Sequence, residues 1–338
     1  ADRNPDCVKN VLARLLSGSA QWTLPQPNAS TGPSDKCLTL DAILAAFGVC
    51  YYQVMNAINV RTWLGTKGML YLKLPTGAPG APKSALDHRI VQRRVLWLVK
   101  CCLYKLPDEV FGHLYAPLLI ALQSGDMVVA VEAVATLQAI ISDESRFQLA
   151  AFAPHAKRIV EALIFRVFAK STELFTAQAV LEVLQDIVDR LGVQTKHITN
   201  ELLSPLPAIW KKCESMNVVR PTVMEIVAAV IVNIDDQGAL AVASKVLPLV
   251  KFALDIRRSD FTILNGPGLT LWKSTMTVAP KYNAYFHSLF PMIRKVLEYS
   301  LEHVFVSMGL IKSYVLLGST EFLKTYAREY DVFCAHMG

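Results

Sequence analysis

From about Ser84 to its end the chain repeats one unit six times, an amphipathic helix, a short turn and a second amphipathic helix. The first helices start near Asp87, Asp126, Glu173, Val218, Asn265 and Glu302, giving steps of 39, 47, 45, 47 and 37 residues. A unit this small cannot bury its apolar face alone. It does so by stacking on the next copy, which constrains the chain to a one-dimensional array. In the cleanest copy Ala177, Val180, Leu181, Leu184, Ile187, Val188 and Leu191 recur at helical spacing, while Gln178, Glu182, Gln185, Asp186 and Asp189 take the other side.

The step is longer than the ~33–34-residue helical repeats and fits the two-helix HEAT class. The sequence therefore predicts an all-α fold, a HEAT-repeat superhelical solenoid. An apolar residue followed by proline recurs in the second helices, at Ala116-Pro117, Ala153-Pro154, Leu206-Pro207, Leu247-Pro248 and Phe290-Pro291. Proline lacks the N–H that closes a helical turn, so the second helices are expected to bend at matching places.

Two regions are expected. Residues 1–83 read as irregular leading helices, with flexible Ser-, Pro- and Gly-rich loops at 17–36 and 75–83; residues 84–338 form the continuous array of helix pairs. The first residues, Ala1-Asp2-Arg3-Asn4-Pro5-Asp6, have neither the basic nor the apolar region of a secretory signal. We expect an internal or C-terminal piece of a longer protein. Apolar residues make up 53% of the chain, yet the most apolar windows, Val128 to Ile141 and Val223 to Ile234, are broken by Glu132 and Glu225. They stop short of the ~18 uninterrupted residues a membrane helix needs, and helices buried between repeats explain the figure.

Catalytic and cofactor signatures are absent: the chain has no GxGxxG, GxxxxGK[ST], GxSxG or HExxH. No catalytic residue, cofactor or metal site is therefore expected, and the chain is expected not to be an enzyme. Gly266-Pro267-Gly268 resembles a phosphate loop only superficially and reads as a turn and helix start. The seven cysteines, at 7, 37, 50, 101, 102, 213 and 334, include no CxxC pair and read as buried, reduced thiols of an intracellular protein. His197, His287 and His303 have no ligand-spaced companion. Trp97, Trp210 and Trp272 lie among apolar residues and read first as inter-repeat core; one left exposed in a groove becomes a binding anchor.

Charge separates the two helix sets. The second helices sum to +7 and the first helices to −4, so one surface of the array is expected to be more basic than the other. Solubilising surface cations account for the same sums without any partner. The densest cations are Lys211 and Lys212 and then Arg257 and Arg258, at corresponding ends of adjacent second helices.

Several blocks resemble importin-beta-type nuclear transport receptors. The strongest is Tyr314-Val315-Leu316-Leu317-Gly318-Ser319-Thr320-Glu321-Phe322-Leu323-Lys324-Thr325-Tyr326-Ala327; the others are Arg93 to Leu98, Asp126 to Ala133, Leu206 to Lys211, Gly268 to Trp272 and Asp41 to Trp63. The resemblance covers roughly residues 38 to 330. Ala130 departs from it, standing where such repeats usually carry an arginine, which puts a side-chain ladder between repeats in doubt there. The net charge of +6 departs too, since such receptors look acidic overall. The resemblance implies a non-enzymatic carrier that shuttles between cytoplasm and nucleus through the nuclear pore, releasing protein cargo when Ran-GTP binds. It further implies a protein about three times this length, cargo along the inner helices, pore-protein Phe-Gly repeats between outer helices, and a main Ran site outside these residues. Such a chain is expected to be a monomer, without membrane or nucleic-acid partners. If the second helices line the concave face, Trp210, Lys211, Lys212, Lys251, Arg257 and Arg258 are the candidate cargo contacts, with the cations favouring an acidic patch. A HEAT scaffold subunit of a stable assembly is the alternative reading, and a nucleic-acid-binding solenoid a more distant one, lacking interleaved aromatic residues.

Overall fold

The computed structural model describes residues 10–15, 33–51, 63–64, 68–72, 85–234, 236–279 and 281–335. Among them there are helices and short turns but no strand. The chain divides into two compact units, Ala1–Arg190 and Leu191–Gly338. The helical-solenoid expectation is met. Most of the two expected loops, 17–32 and 75–83, and Cys7 lie outside the described residues, as does the side chain of Cys334. The first loop ends at Ser34, whose hydroxyl accepts from the Cys37 amide and caps helix α1 (Asp35–Val49).

In the first unit α1 is followed by a single turn at Met69–Leu72 and then by the helix pairs α2 (Ala85–Cys102) with α3 (Asp108–Leu122) and α4 (Met127–Ser142) with α5 (Leu149–Ala162), the latter continuing through a π-helical stretch, Leu163–Phe168. Helix α6 (Leu174–Leu191) closes this unit. The second unit holds α7 (Thr199–Leu203), α8 (Leu206–Lys212), α9 (Arg220–Asn233), α10 (Asp236–Ala253), α11 (Phe261–Thr277), α12 (Ala284–Leu289), α13 (Pro291–Tyr299) and α14 (Val304–Ala335). Helix α14 is broken at Ser319.

The repeat is written into the hydrogen bonds. Thr136 Oγ1 donates to the Leu96 carbonyl, 40 residues back, at 3.1 Å. Gln138 donates to Glu182, 44 residues on, at 3.4 Å, and Arg190 Nε to the Ile141 carbonyl, 49 residues back, at 2.9 Å. In the second unit Arg220 reaches Asp260 across 40 residues at 3.2 Å, and His303 pairs with Asn265 across 38 at 2.9 Å. Each bond joins a first helix, or the residue just before one, to the corresponding part of the neighbouring copy, as stacking requires. Near Ala130 the link is made by Lys100, whose ammonium meets Glu132 at 3.0 Å. Arg146 ties the turn after α4 to the preceding one: its guanidinium donates to the carbonyls of Leu103 and Leu106 and lies 4.1 Å over the Phe111 ring.

The recurrent prolines act in two ways. Pro117, Pro154 and Pro248 sit inside α3, α5 and α10. Pro207 and Pro291 sit in the first turn of α8 and α13, splitting the second helix of their copies in two. A first-turn amide has no intrahelical acceptor to lose, so a break just before proline is the cheaper arrangement there.

One expectation is corrected. Gly266-Pro267-Gly268 lies inside α11, which begins earlier, at Phe261. The glycines serve close packing rather than a turn. A Cβ on Gly268 would come within 2.8 Å of the Ala253 Cβ, and one on Gly266 within 3.0 Å of the His303 ring.

The second unit is centred on an aromatic cluster. Trp272 is fully buried and meets Tyr314 edge-on at 5.9 Å, while Phe290 packs on Tyr314 and Phe322 at 5.0 and 4.7 Å. The Tyr314 hydroxyl donates to the Phe286 carbonyl at 2.6 Å. Trp97, in the first unit, is half-buried beneath Arg94, whose guanidinium also clasps Asp41 at 2.7 and 3.1 Å. Cys37, Cys102 and Cys213 are buried free thiols, pushed up by burial to about 12, 12 and 11; Cys50 and Cys101 are free and half-buried. Among the described residues no helix is long and apolar enough to cross a membrane.

Candidate binding groove

The second unit carries a groove of about 640 Å³, within the ~300–1,000 Å³ range of ligand pockets. Leu203 of α7 and Leu206 and Trp210 of α8 make one wall. Val242, Val246, Leu249 and Phe252, one face of α10, make the other. Val223 and Val227 of α9, both buried, form the floor, and the exposed Pro207 and Pro248 stand at the lips. The helix-splitting Pro207 thus borders an opening between neighbouring second helices. Polar groups are few. Thr199, Asn200 and Ser204 lie along α7, and the single charged lining residue is Lys245, exposed and with no ion pair to any described residue.

The aromatic end is held from behind. Trp210 and Phe252 meet edge to face at 5.6 Å. The Arg220 guanidinium lies 4.7 Å over Trp210 and 5.7 Å over Phe252, and that of Arg258 lies 3.5 Å over Phe252. Both arginines converge on Asp260, Arg220 at 3.2 Å and Arg258 at 2.9 and 3.1 Å. Asp260 and Arg220 are each only 4% exposed. Glu214 approaches Arg220 from the solvent side at 3.8 Å. Hydrogen bonds from Arg258 hold the Asp260 carboxyl below the ordinary carboxylate range against the upward push of its burial, and the charge of Arg220 adds to this. A buried charged cluster of this kind, although it leaves the Arg220 Nε without a hydrogen-bond partner, fixes the two rings that end the groove.

The six residues singled out from the sequence fall into three settings. Trp210 is half-buried in the groove wall. Lys211 is exposed one turn beyond Pro207, and Lys251 exposed one turn beyond Pro248; Lys212 is half-buried, its ammonium depressed by that burial. Arg257 and Arg258 are not at the end of a helix, because α10 stops at Ala253. They occupy the turn before α11 and are matched by nearby acids. Arg257 grips Asp255 with two bonds of 2.8 Å and, by donating them, holds that carboxyl down to about 2. Arg258 is committed to Asp260. Sequence reading missed Lys245, Arg220 and Phe252. For Lys245 a signal existed, one cation on the apolar face formed by Val242, Val246 and Leu249; for the other two none did, since their partners are set by stacking.

Fold and groove define a class, a repeat-built α-solenoid with an apolar crevice backed by charge; among the described residues no group of three or more metal-ligating side chains occurs. Comparison with known proteins narrows that class. Residues 222–336 match the family model described as importin-11-like, TPR repeats. Mouse importin-11 is 27% identical over 296 residues, and human importin-11 26% identical over 296. Both alignments take in 86% of this chain, and the chain spans 29% of the length of these curated relatives. Among solved structures, that titled "Structure of Lph2, a novel bidirectional nuclear transport receptor in S. cerevisiae" superposes with a TM-score of 0.74 at 21% identity, covering 94% of this chain and 33% of that one. That likeness establishes the fold. The resemblance to importin-beta-type receptors is thereby borne out, with importin-11 as the relative. The helix-pair steps of 37 to 47 residues are longer than the ~34-residue TPR unit named in the family description.

Proposed function

We propose that this chain is the cargo-holding part of a nuclear transport receptor, a non-enzymatic carrier of protein cargo whose release is driven by Ran-GTP. The observation carrying the reading is the similarity to importin-11 over 86% of the chain. The shuttling localisation, the main Ran site outside these residues, Phe-Gly contacts between outer helices and a monomeric state belong to the same proposal. Stacked repeats suit the task, because small neighbour-to-neighbour contacts let ligands bias curvature at modest free-energy cost. Within the proposed cargo surface, exposed Lys211 and Lys251 are the cations available to an acidic cargo. Arg257 and Arg258 contribute less, being neutralised by Asp255 and Asp260. The test is a pull-down from nuclear and cytosolic extract with the complete protein, with and without Ran-GTP. Partners released by Ran-GTP support the receptor; a fixed set of partners indifferent to Ran-GTP points to a scaffold instead.

A further inference from the structure

The groove between α8 and α10 has the composition of a site rather than of an unfinished core. Apolar side chains on three sides end at a pair of rings, Trp210 and Phe252, that are prevented from repacking by Arg220 and Arg258 behind them. Exposed Asn200 and Ser204 offer hydrogen bonds along one edge, and the exposed ammonium of Lys245 stands on the facing wall amid Val242, Val246 and Leu249. The charges close by are unequal. Arg220, Arg258, Asp260 and Glu214 form ion pairs with one another, and Arg257 is matched by Asp255. Lys211 and Lys251, one turn beyond the lip prolines, join Lys245 as cations without an ion pair among the described residues. A neutral apolar strand would fill the crevice yet leave these three ammonium groups unanswered, and a basic one would be repelled.

We propose that this groove binds an acidic linear peptide segment of a partner protein, seating a large apolar side chain, Phe or Leu, against Trp210 and Phe252 and placing a carboxylate on Lys245. The apolar anchor supplies affinity by desolvation, and the carboxylate fixes direction and rejects basic segments. This deepens the transport-receptor reading by naming the chemistry of one cargo contact, and it rests on that reading only for calling the partner a cargo.

The experiment titrates the complete protein into three fluorescein-labelled dodecapeptides read by anisotropy: one with a Leu-Phe core flanked by Glu and Asp, the same core flanked by Lys, and a Phe-Gly repeat with neutral flanks. The acidic peptide is expected to bind at least tenfold more tightly than either of the others. Lys245→Glu, at an exposed position that leaves folding intact, is expected to cut that affinity about tenfold and to raise that of the Lys-flanked peptide. Trp210→Ala is expected to abolish binding; Val242→Asp, a second change in the opposite wall, guards against loss by unfolding, with the melting temperature recorded for both. Equal binding of the three peptides, a preference for the Phe-Gly peptide, or an acidic-peptide affinity unmoved by Lys245→Glu would each overturn the proposal. Failure of the receptor reading appears separately, as acidic-peptide binding that persists in a protein whose partners ignore Ran-GTP.

Discussion

The two units solve the same stacking problem with different chemistry. In the first, neighbouring copies are joined mostly by half-buried polar links, Lys100 to Glu132 and Arg146 and Arg190 to the carbonyls of earlier turns, beside one buried bond from Thr136 to a carbonyl of α2. In the second they are joined by an aromatic cluster and by one desolvated charge cluster, Arg220, Asp260 and Arg258. Half-exposed links can be lost singly at small cost, because water replaces them. A buried pair cannot, since removing one partner strands the other away from water. The groove occurs beside the stiffer solution, which is where a preformed site is most easily kept open.

Substitutions can break this contrast. Asp260→Asn should have the largest effect, about 3–5 kcal/mol, because it leaves two guanidinium groups around an uncharged amide. Hydrogen-exchange protection should fall in α9 and α11 and stay unchanged in α2 and α4; equal loss in both units would erase the distinction. The same carboxyl predicts an acid limit. Its folded-state pKa lies below the unfolded value of about 3.9, so its contribution is complete above that pH and is lost as the pH falls through the lower folded value. Acid titration should therefore loosen the second unit, and Asp260→Asn should remove much of that pH dependence. Gly268→Ala comes next, at about 1–3 kcal/mol, because the added methyl meets Ala253 where α11 crosses α10. Arg146→Gln, which removes carbonyl links and the Phe111 stack in the first unit, should cost about 1–2 kcal/mol in a denaturant titration. Arg294→Gln should be the mildest, below about 0.5 kcal/mol, since its bond to Glu298 is an exposed pair one turn apart. A larger loss there than for Arg146→Gln would reverse the ordering.

Period and helix pairing were legible in the sequence, because apolar spacing is dictated by what each helix must bury. Gly266-Pro267-Gly268 was misplaced because glycine and proline signal turns locally, whereas here the demand comes from α10 and from His303, residues distant in sequence. Arg257 and Arg258 drew notice as bare cations although Asp255 and Asp260 flank them within a few residues, a local signal that charge sums by helix dilute. The groove itself was not legible. Its walls are Val, Leu, Trp and Phe, the residues of any inter-repeat core, and only the three-dimensional gap beside Pro207 distinguishes them.

The short reach of the inter-repeat hydrogen bonds, 32 to 53 residues among those described above, also bears on how the chain comes to be folded. Loop-closure entropy rises only with the logarithm of the segment closed, so every such bond asks about the same entropic cost and none waits for the far end of the protein. As the chain emerges from a ribosome, each copy can dock as soon as roughly forty further residues have been synthesised, growing a folded array from either a first pair or an interior one.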